Sequence, residues 1–116
     1  MHFKSTYTQG LFAEFLARQY LRLHGFKILS KRYVTGKNTN RAEIDIIAQK
    51  KDLIVFVEVK HRPNLQSGFD AISPMQMSRL RRAAESYLTK KCWCGNARFD
   101  AIIVCGIRII WIKNCI

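Results

Sequence analysis

Acidic residues are scarce in this chain. Eight Asp and Glu stand against twenty Lys and Arg, giving a formal net charge of +12 and a pI near 10.0. Such a field concentrates polyanions, and nucleic acid is the commonest polyanion in a cell. Long apolar runs are missing too: no stretch approaches the ~20 residues that a transmembrane helix needs, so no membrane partner is expected. The opening Met1-His2-Phe3-Lys4-Ser5-Thr6 has no apolar h-region and no small-residue cleavage site. A secretory signal is therefore not expected, and the cytoplasm is the expected location. Cysteine occurs four times, but Cys92-Trp93-Cys94 is a C-x-C pair rather than the C-x-x-C of zinc ribbons and thioredoxin-like sites. His2, His24 and His61 do not fall at finger spacing either. Reduced thiols are expected instead of a structural zinc, with Cys105 in a strand. No Pro/Gly-rich linker and no internal repeat divides the chain, so residues 1–116 read as one domain with a single core. At 48% hydrophobic and 24% charged residues, the composition is globular rather than disordered.

The hydrophobic pattern sets the element order. Leu11, Phe12, Phe15, Leu16, Tyr20 and Leu23 recur at spacings of three and four, predicting a helix from about Thr8 to His24 with Gly25 at its C′ position. Residues 26–34 read as a strand and residues 35–40 as a polar turn or loop. Two stronger strands follow, Glu43 to Ala48 and Leu53 to Lys60, with Gln49-Lys50-Lys51-Asp52 as the loop between them. His61 to Phe69 reads as irregular. A second helix starts at Ser73, where Ser73-Pro74-Met75-Gln76 combines an N-cap serine, an N1 proline and Gln at N3, the capping-box arrangement. Its apolar side is Met77, Leu80, Ala84, Tyr87 and Leu88; its other side is basic, with Arg79, Arg81, Arg82 and Lys90. Phe99 to Cys105 and Ile107 to Lys113 complete five strands. Strands apolar on both faces need cover on both sides, which predicts an α/β fold with a mixed central sheet flanked by helices.

Three of the eight acids, Glu43, Asp45 and Glu58, fall on the two best strands. A charge inside an apolar strand is costly unless it is paired or binds a cation. Glu43 and Asp45 share one face of the first strand, and Phe56, Glu58 and Lys60 share one face of the second. With a loop of Gln49 to Asp52, Glu43 would face Glu58, and Asp45 would face Phe56 with Glu58 on the diagonal, about 7–8 Å away at Cα. A one-residue slip would put Asp45 and Glu58 on opposite faces. Like charges this close call for a divalent cation. An all-oxygen set without nearby His or Cys favours Mg²⁺ or Mn²⁺ over zinc. Lys60, two residues past Glu58, would hold an attacking water or stabilise charge on a phosphate. The competing reading is a surface Glu–Lys pair worth little.

Asp followed by a strand-borne Glu-x-Lys resembles the core of the PD-(D/E)XK nuclease superfamily. More specifically, the chain resembles the YraN-like family of small bacterial proteins. The matching segments are Gly10…Glu14-x-x-Ala17-x-x-Tyr20-Leu21, Gly25-Phe26-x-Ile28-Leu29, Glu43 to Ala48, Val55 to Lys60 with Arg62, Ala83-Ala84-x-x-Tyr87-Leu88, Arg98-Phe99-Asp100 and Asn114. The resemblance implies a restriction-endonuclease-like core. It makes Asp45 and Glu58 metal ligands together with the Val59 carbonyl, Lys60 catalytic with Glu43 beside it, and Glu14 a neighbour of the metal or its waters. Glu14 could equally form an i,i+4 pair with Arg18. Three positions depart from the family pattern: Ala42 stands where Gly is usual, Arg32 where Asn is common, and Gln76 where the second helix usually carries Lys. Gln76 either closes the capping box or points to the site.

The expected function is Mg²⁺- or Mn²⁺-dependent cleavage of phosphodiester bonds, with Arg62, Arg79, Arg82 and Gln76 contacting nucleic acid, DNA ahead of RNA. The alternative is a module that binds or assembles on nucleic acid without cutting, since a fold does not settle a function. A protein–protein adaptor with structural carboxylates is a weaker third reading, and a homodimer stays open.

Overall fold

The computed structural model describes residues 6–36, 41–64 and 73–115. The elements are α1 (Thr6–Leu23), β1 (Lys27–Thr35), β2 (Ala42–Lys50), β3 (Leu53–His61), α2 (Pro74–Lys91), β4 (Asn96–Cys105) and β5 (Arg108–Ile112). The five strands form one sheet in sequence order. All neighbours are antiparallel except β3 and β4, which are parallel and joined by the crossover that carries α2. This is the mixed α/β sheet that the pattern predicts. No helix among the described residues is long and apolar enough to cross a membrane.

Each face of the sheet has its own helix. Under α1 lie Phe26, Ile46, Ala48, Val55, Val57, Val59, Ile102 and Val104, all buried. Under α2 lie Ile44, Ile47, Ile54 and Phe56, packed by Leu80, Ala83 and Ala84. The α1 stripe differs from the one its large apolar residues suggest. Ala13, Ala17 and Leu21 are the buried positions, while Leu11, Phe12, Phe15 and Leu23 are exposed. Alanines one turn apart let the helix backbone approach the sheet closely, and that turns the bulkier neighbours outward.

Both helix ends are closed by backbone bonds. After α1, Phe26 N–H donates to Leu21 O and Gly25 N–H to Arg22 O, with Gly25 at φ 89°; this is the glycine-terminated Schellman arrangement. After α2 the same pair of bonds runs from Trp93 to Leu88 and from Cys92 to Thr89, but Cys92 takes the left-handed position at φ 55°. The first half of the C-x-C pair thus has a backbone task. All four cysteines are free thiols.

The β2–β3 turn corrects the expected loop. Lys50 pairs with Leu53, so the turn is Lys51-Asp52 alone and the register moves by two residues. Lys51 adopts φ 55°, the left-handed conformation that two-residue hairpins require, without the Asn or Gly that would announce it. Gln49 and Lys50 belong to the strand. Lys50 Nζ donates to His24 O at 2.9 Å, tying the hairpin to the end of α1. β4 also begins three residues earlier than its apolar run, because Asn96, Ala97 and Arg98 pair in parallel with Leu53, Ile54 and Val55.

Candidate metal centre

The site forms where the β2–β3 ladder opens. Continuing the observed register one step past Ile46 and Val57 sets Asp45 across from Glu58, not on the diagonal. The shift of two residues preserves the face and brings the two carboxylates nearer than the expected loop would. Side-chain alternation along β2 breaks at this point. Ile44 and Ile47 both pack beneath α2, whereas Ile46 and Ala48 lie beneath α1. On the other neighbouring strand, Arg32 stands opposite Asp45 in the β1–β2 register with a left-handed φ of 54°. An irregular strand on one side and an opening ladder on the other release Asp45 from the pleat. Its Oδ2 then accepts the Val59 backbone N–H at 2.8 Å.

Asp45 and Glu58 are 9% and 8% exposed, so neither carboxylate is an ordinary surface group. Burial, and then the charge of Glu58, push the Asp45 carboxyl up to about 8, against a smaller opposing effect of the Val59 N–H. Glu14 and Glu43 push in the same direction from farther away. Glu58 Oε2 receives two donors, Lys60 Nζ at 3.0 Å and Gln76 Nε2 at 2.9 Å. Gln76 therefore serves the site with its side chain, while its backbone N–H donates to Ser73 Oγ at 3.1 Å. The N-cap serine holds the first turn of α2, and that turn delivers the glutamine to β3.

The remaining candidates separate. Glu43 and Arg79 line an open cavity of about 390 Å³ with Asp45, Glu58 and Gln76. Arg41, which sequence reasoning missed, is on the same rim and pairs with Glu43 at 3.6 Å. Arg82 is exposed on α2 and donates to Ser78 Oγ, away from that lining. Arg62 lines a different groove, together with Val59 and Lys60. Glu14 is held by Arg32, whose Nε lies 3.2 Å from Oε1 and whose Nη2 lies 3.4 Å from Oε2. Burial raises the Glu14 carboxyl, with Arg32 the leading counterweight and Arg18 a weaker one. Among the described residues, no three His, Cys, Asp or Glu side chains converge closely enough to hold an ion by themselves. What converges is a pair of buried carboxylates with a lysine on one of them.

A third buried carboxylate, Asp100 on β4, entered the sequence reading only within the matching segment Arg98-Phe99-Asp100 and was given no task there. Arg98 donates to both of its oxygens at 2.8 Å, Trp111 Nε1 donates to Oδ2 at 2.8 Å, and Asn114 N–H to Oδ1 at 2.9 Å. Arg98-x-Asp100 places the pair on one face of the strand, and that spacing is the signal that could have found it. With four donors on two oxygens, Asp100 is satisfied and structural.

The family model described as "Uncharacterised protein family UPF0102" matches residues 13–104. The UPF0102 protein of Shewanella denitrificans is 38% identical over 112 residues, covering 93% of this chain and 98% of its own. That of Paramagnetospirillum magneticum is 38% identical over 104 residues, 87% of this chain and 80% of its own. That of Agrobacterium fabrum is 40% identical over 103 residues, 87% and 81% respectively.

Proposed function

Because the chain belongs to the UPF0102 family, and through it to the PD-(D/E)XK nuclease-like superfamily, we propose that it hydrolyses phosphodiester bonds in nucleic acid, DNA ahead of RNA, in the cytoplasm. The observation that carries the reading is the Asp45–Glu58 pair: two buried carboxylates facing each other across an open ladder, one of them pushed up to about 8. Lys60 balances one of these two charges, and ionising the other beside it is costly unless a divalent cation joins the pair. The donor set fits Mg²⁺ or Mn²⁺, since Mg²⁺ is commonly held by one or two carboxylates, waters and substrate phosphates rather than by a full protein cage. Asp45, Glu58 and the Val59 carbonyl would hold it. When bound, such an ion supplies a Lewis acid and lowers the pKa of a coordinated water.

The protein's own groups do the rest. Gln76 fixes the rotamer of Glu58 through Oε2, and the Val59 N–H fixes Asp45 through Oδ2. Lys60, 3.0 Å from Glu58, supplies the positive charge that stabilises a phosphate oxygen as charge builds there. Arg79 and Arg41 at the rim, and Arg82 farther along α2, track the backbone without reading bases.

The test is metal-dependent nicking of plasmid DNA by wild type, Asp45→Asn and Lys60→Ala. Each substitution should reduce cutting by about a hundredfold or more, with the circular dichroism of the fold unchanged. Undiminished Mn²⁺-dependent cutting in both variants would sink the proposal. One observation favours a second reading, a module that binds without cutting: Glu58 Oε2 already carries two donors and Glu14 is engaged by Arg32. Salt-sensitive binding that survives Asp45→Asn, with no cleavage under Mg²⁺ or Mn²⁺, would favour that reading.

A further inference from the structure

A second cavity opens beside the C-terminal end of β3 and the first turns of α1. It is about 510 Å³ in volume, and its described lining includes Gln9, Gly10, Lys60, His61 and Arg62. Two features set it apart from the carboxylate pocket. It lies toward α1, where Val59 packs, whereas the carboxylate pocket lies beneath α2. Its described lining holds no Asp or Glu, although Glu43, Asp45 and Glu58 crowd the neighbouring pocket. Lys60 joins the two, touching Glu58 on one side and lining the groove on the other.

Gly10 is the informative residue. A glycine inside a helix costs about 0.5–1 kcal/mol relative to alanine. No packing demand accounts for it here: a Cβ at Gly10 would meet no heavy atom within 4 Å, and the residue has no positive φ. What its missing side chain does is leave the helix backbone bare at the groove, where a ligand's backbone can come close. The cations opposite are anchored. Arg62 N–H donates to Val104 O at 3.1 Å, and Arg62 Nη1 donates to His61 O at 2.9 Å, so the guanidinium is held at the mouth rather than free in solvent.

From bare helix backbone, the Lys60 and Arg62 cations and a lining without Asp or Glu among the described residues, we infer that this groove binds the phosphodiester backbone of a short single-stranded segment, leading it past Lys60 to the carboxylate pair. A cleft of this volume is of small-ligand size, ~300–1,000 Å³. It has room for one strand, whereas duplexes are held across ~1,000 Å² or more of protein surface. The identity of the ligand rests on the nuclease reading; the existence of an anion-binding groove does not.

The experiment measures binding of a fluorescein-labelled short oligothymidylate in EDTA to wild type, Gly10→Phe and Arg62→Ala, with Mn²⁺ binding followed separately by electron paramagnetic resonance. Gly10→Phe should fill the groove and weaken oligonucleotide binding about tenfold or more. Its melting temperature should not fall, because removing a helix glycine favours the helix. Arg62→Ala should lower the slope of log K against log[salt] by about 0.7, the share of one single-strand phosphate. Wild-type affinity in Gly10→Phe, an unchanged salt slope in Arg62→Ala, or a blunt duplex displacing the oligonucleotide would each overturn the inference. Should wild type hold no Mn²⁺ while both substitutions act as stated, the groove stands and the nuclease reading falls.

Discussion

Asp45 is the residue on which most of the proposed chemistry turns, and its environment makes a prediction of definite sign. Its carboxyl is raised to about 8 by burial and by Glu58, well above its unfolded value of 3.8. A raised carboxyl contributes stability that is fully present below the unfolded value and is lost as pH climbs through the folded one. In EDTA, wild type should therefore lose thermal stability between about pH 4 and pH 8 relative to Asp45→Asn, whose amide keeps the acceptor for Val59 N–H but carries no charge. Added Mn²⁺ should reverse the loss in wild type and leave the variant unmoved, since a divalent ion competes with the proton for the same oxygens. Differential scanning calorimetry across pH reads both effects. A wild type and Asp45→Asn that melt in parallel would mean that Asp45 is not held as described. At the same scale, the Arg32–Glu14 pair replaces the Glu14–Arg18 pair that helix spacing suggests. Only the fold, by setting β1 beside α1, could bring Arg32 to Glu14.

At the scale of elements, the β2–β3 hairpin and the N-terminus of α2 carry the site, and both were largely legible. Alternation fixed the shared face of Asp45 and Glu58, and Ser73-Pro74 fixed the start of the helix. The turn was misread because Lys51 takes a left-handed conformation without a residue that signals one, so a polar run looked like loop when half of it was strand. The error did not damage the site, because the register moved by an even number of residues. Less legible was anything that depends on two elements meeting: Gln76 reaching Glu58, Arg41 at the rim, and the knot around Asp100. Asp100 fastens β4 to Trp111 of β5 and to Asn114 beyond it through two donors, while Arg98 of β4 supplies the other two. Asp100→Ala leaves the partly exposed Arg98 and the indole without their acceptor, which should cost about 1.5–3 kcal/mol in urea unfolding. The proposed metal site, on β2 and β3, should keep any Mn²⁺ affinity it has in whatever fraction remains folded. A loss below ~1 kcal/mol would show that the knot contributes little beyond surface pairing.

For the whole molecule, the distribution of charge says more than its sum. Four of the eight acids, Glu14, Glu43, Asp45 and Glu58, act on one another at a single end of the sheet. The rest of a chain with net charge +12 is correspondingly more basic than the total implies. A polyanion is thus drawn toward the protein at large but least toward the proposed site, where Arg32, Arg41 and Lys60 only balance Glu14, Glu43 and Glu58, so recruitment and the proposed reaction conflict in place. A divalent ion between Asp45 and Glu58 removes that conflict, so the two kinds of salt should act in opposite directions on DNA binding. Raising NaCl from about 50 to about 200 mM should weaken binding steeply through counterion release. Adding Ca²⁺ at constant ionic strength, which occupies oxygen sites, should strengthen it. The double variant Asp45→Asn, Glu58→Gln should bind single-stranded DNA without any divalent ion about as tightly as wild type does with Ca²⁺, and should lose the Ca²⁺ response while keeping the NaCl response. If Ca²⁺ weakens wild-type binding as NaCl does, the acidic end is not where the nucleic acid sits, and the basic surface binds it elsewhere.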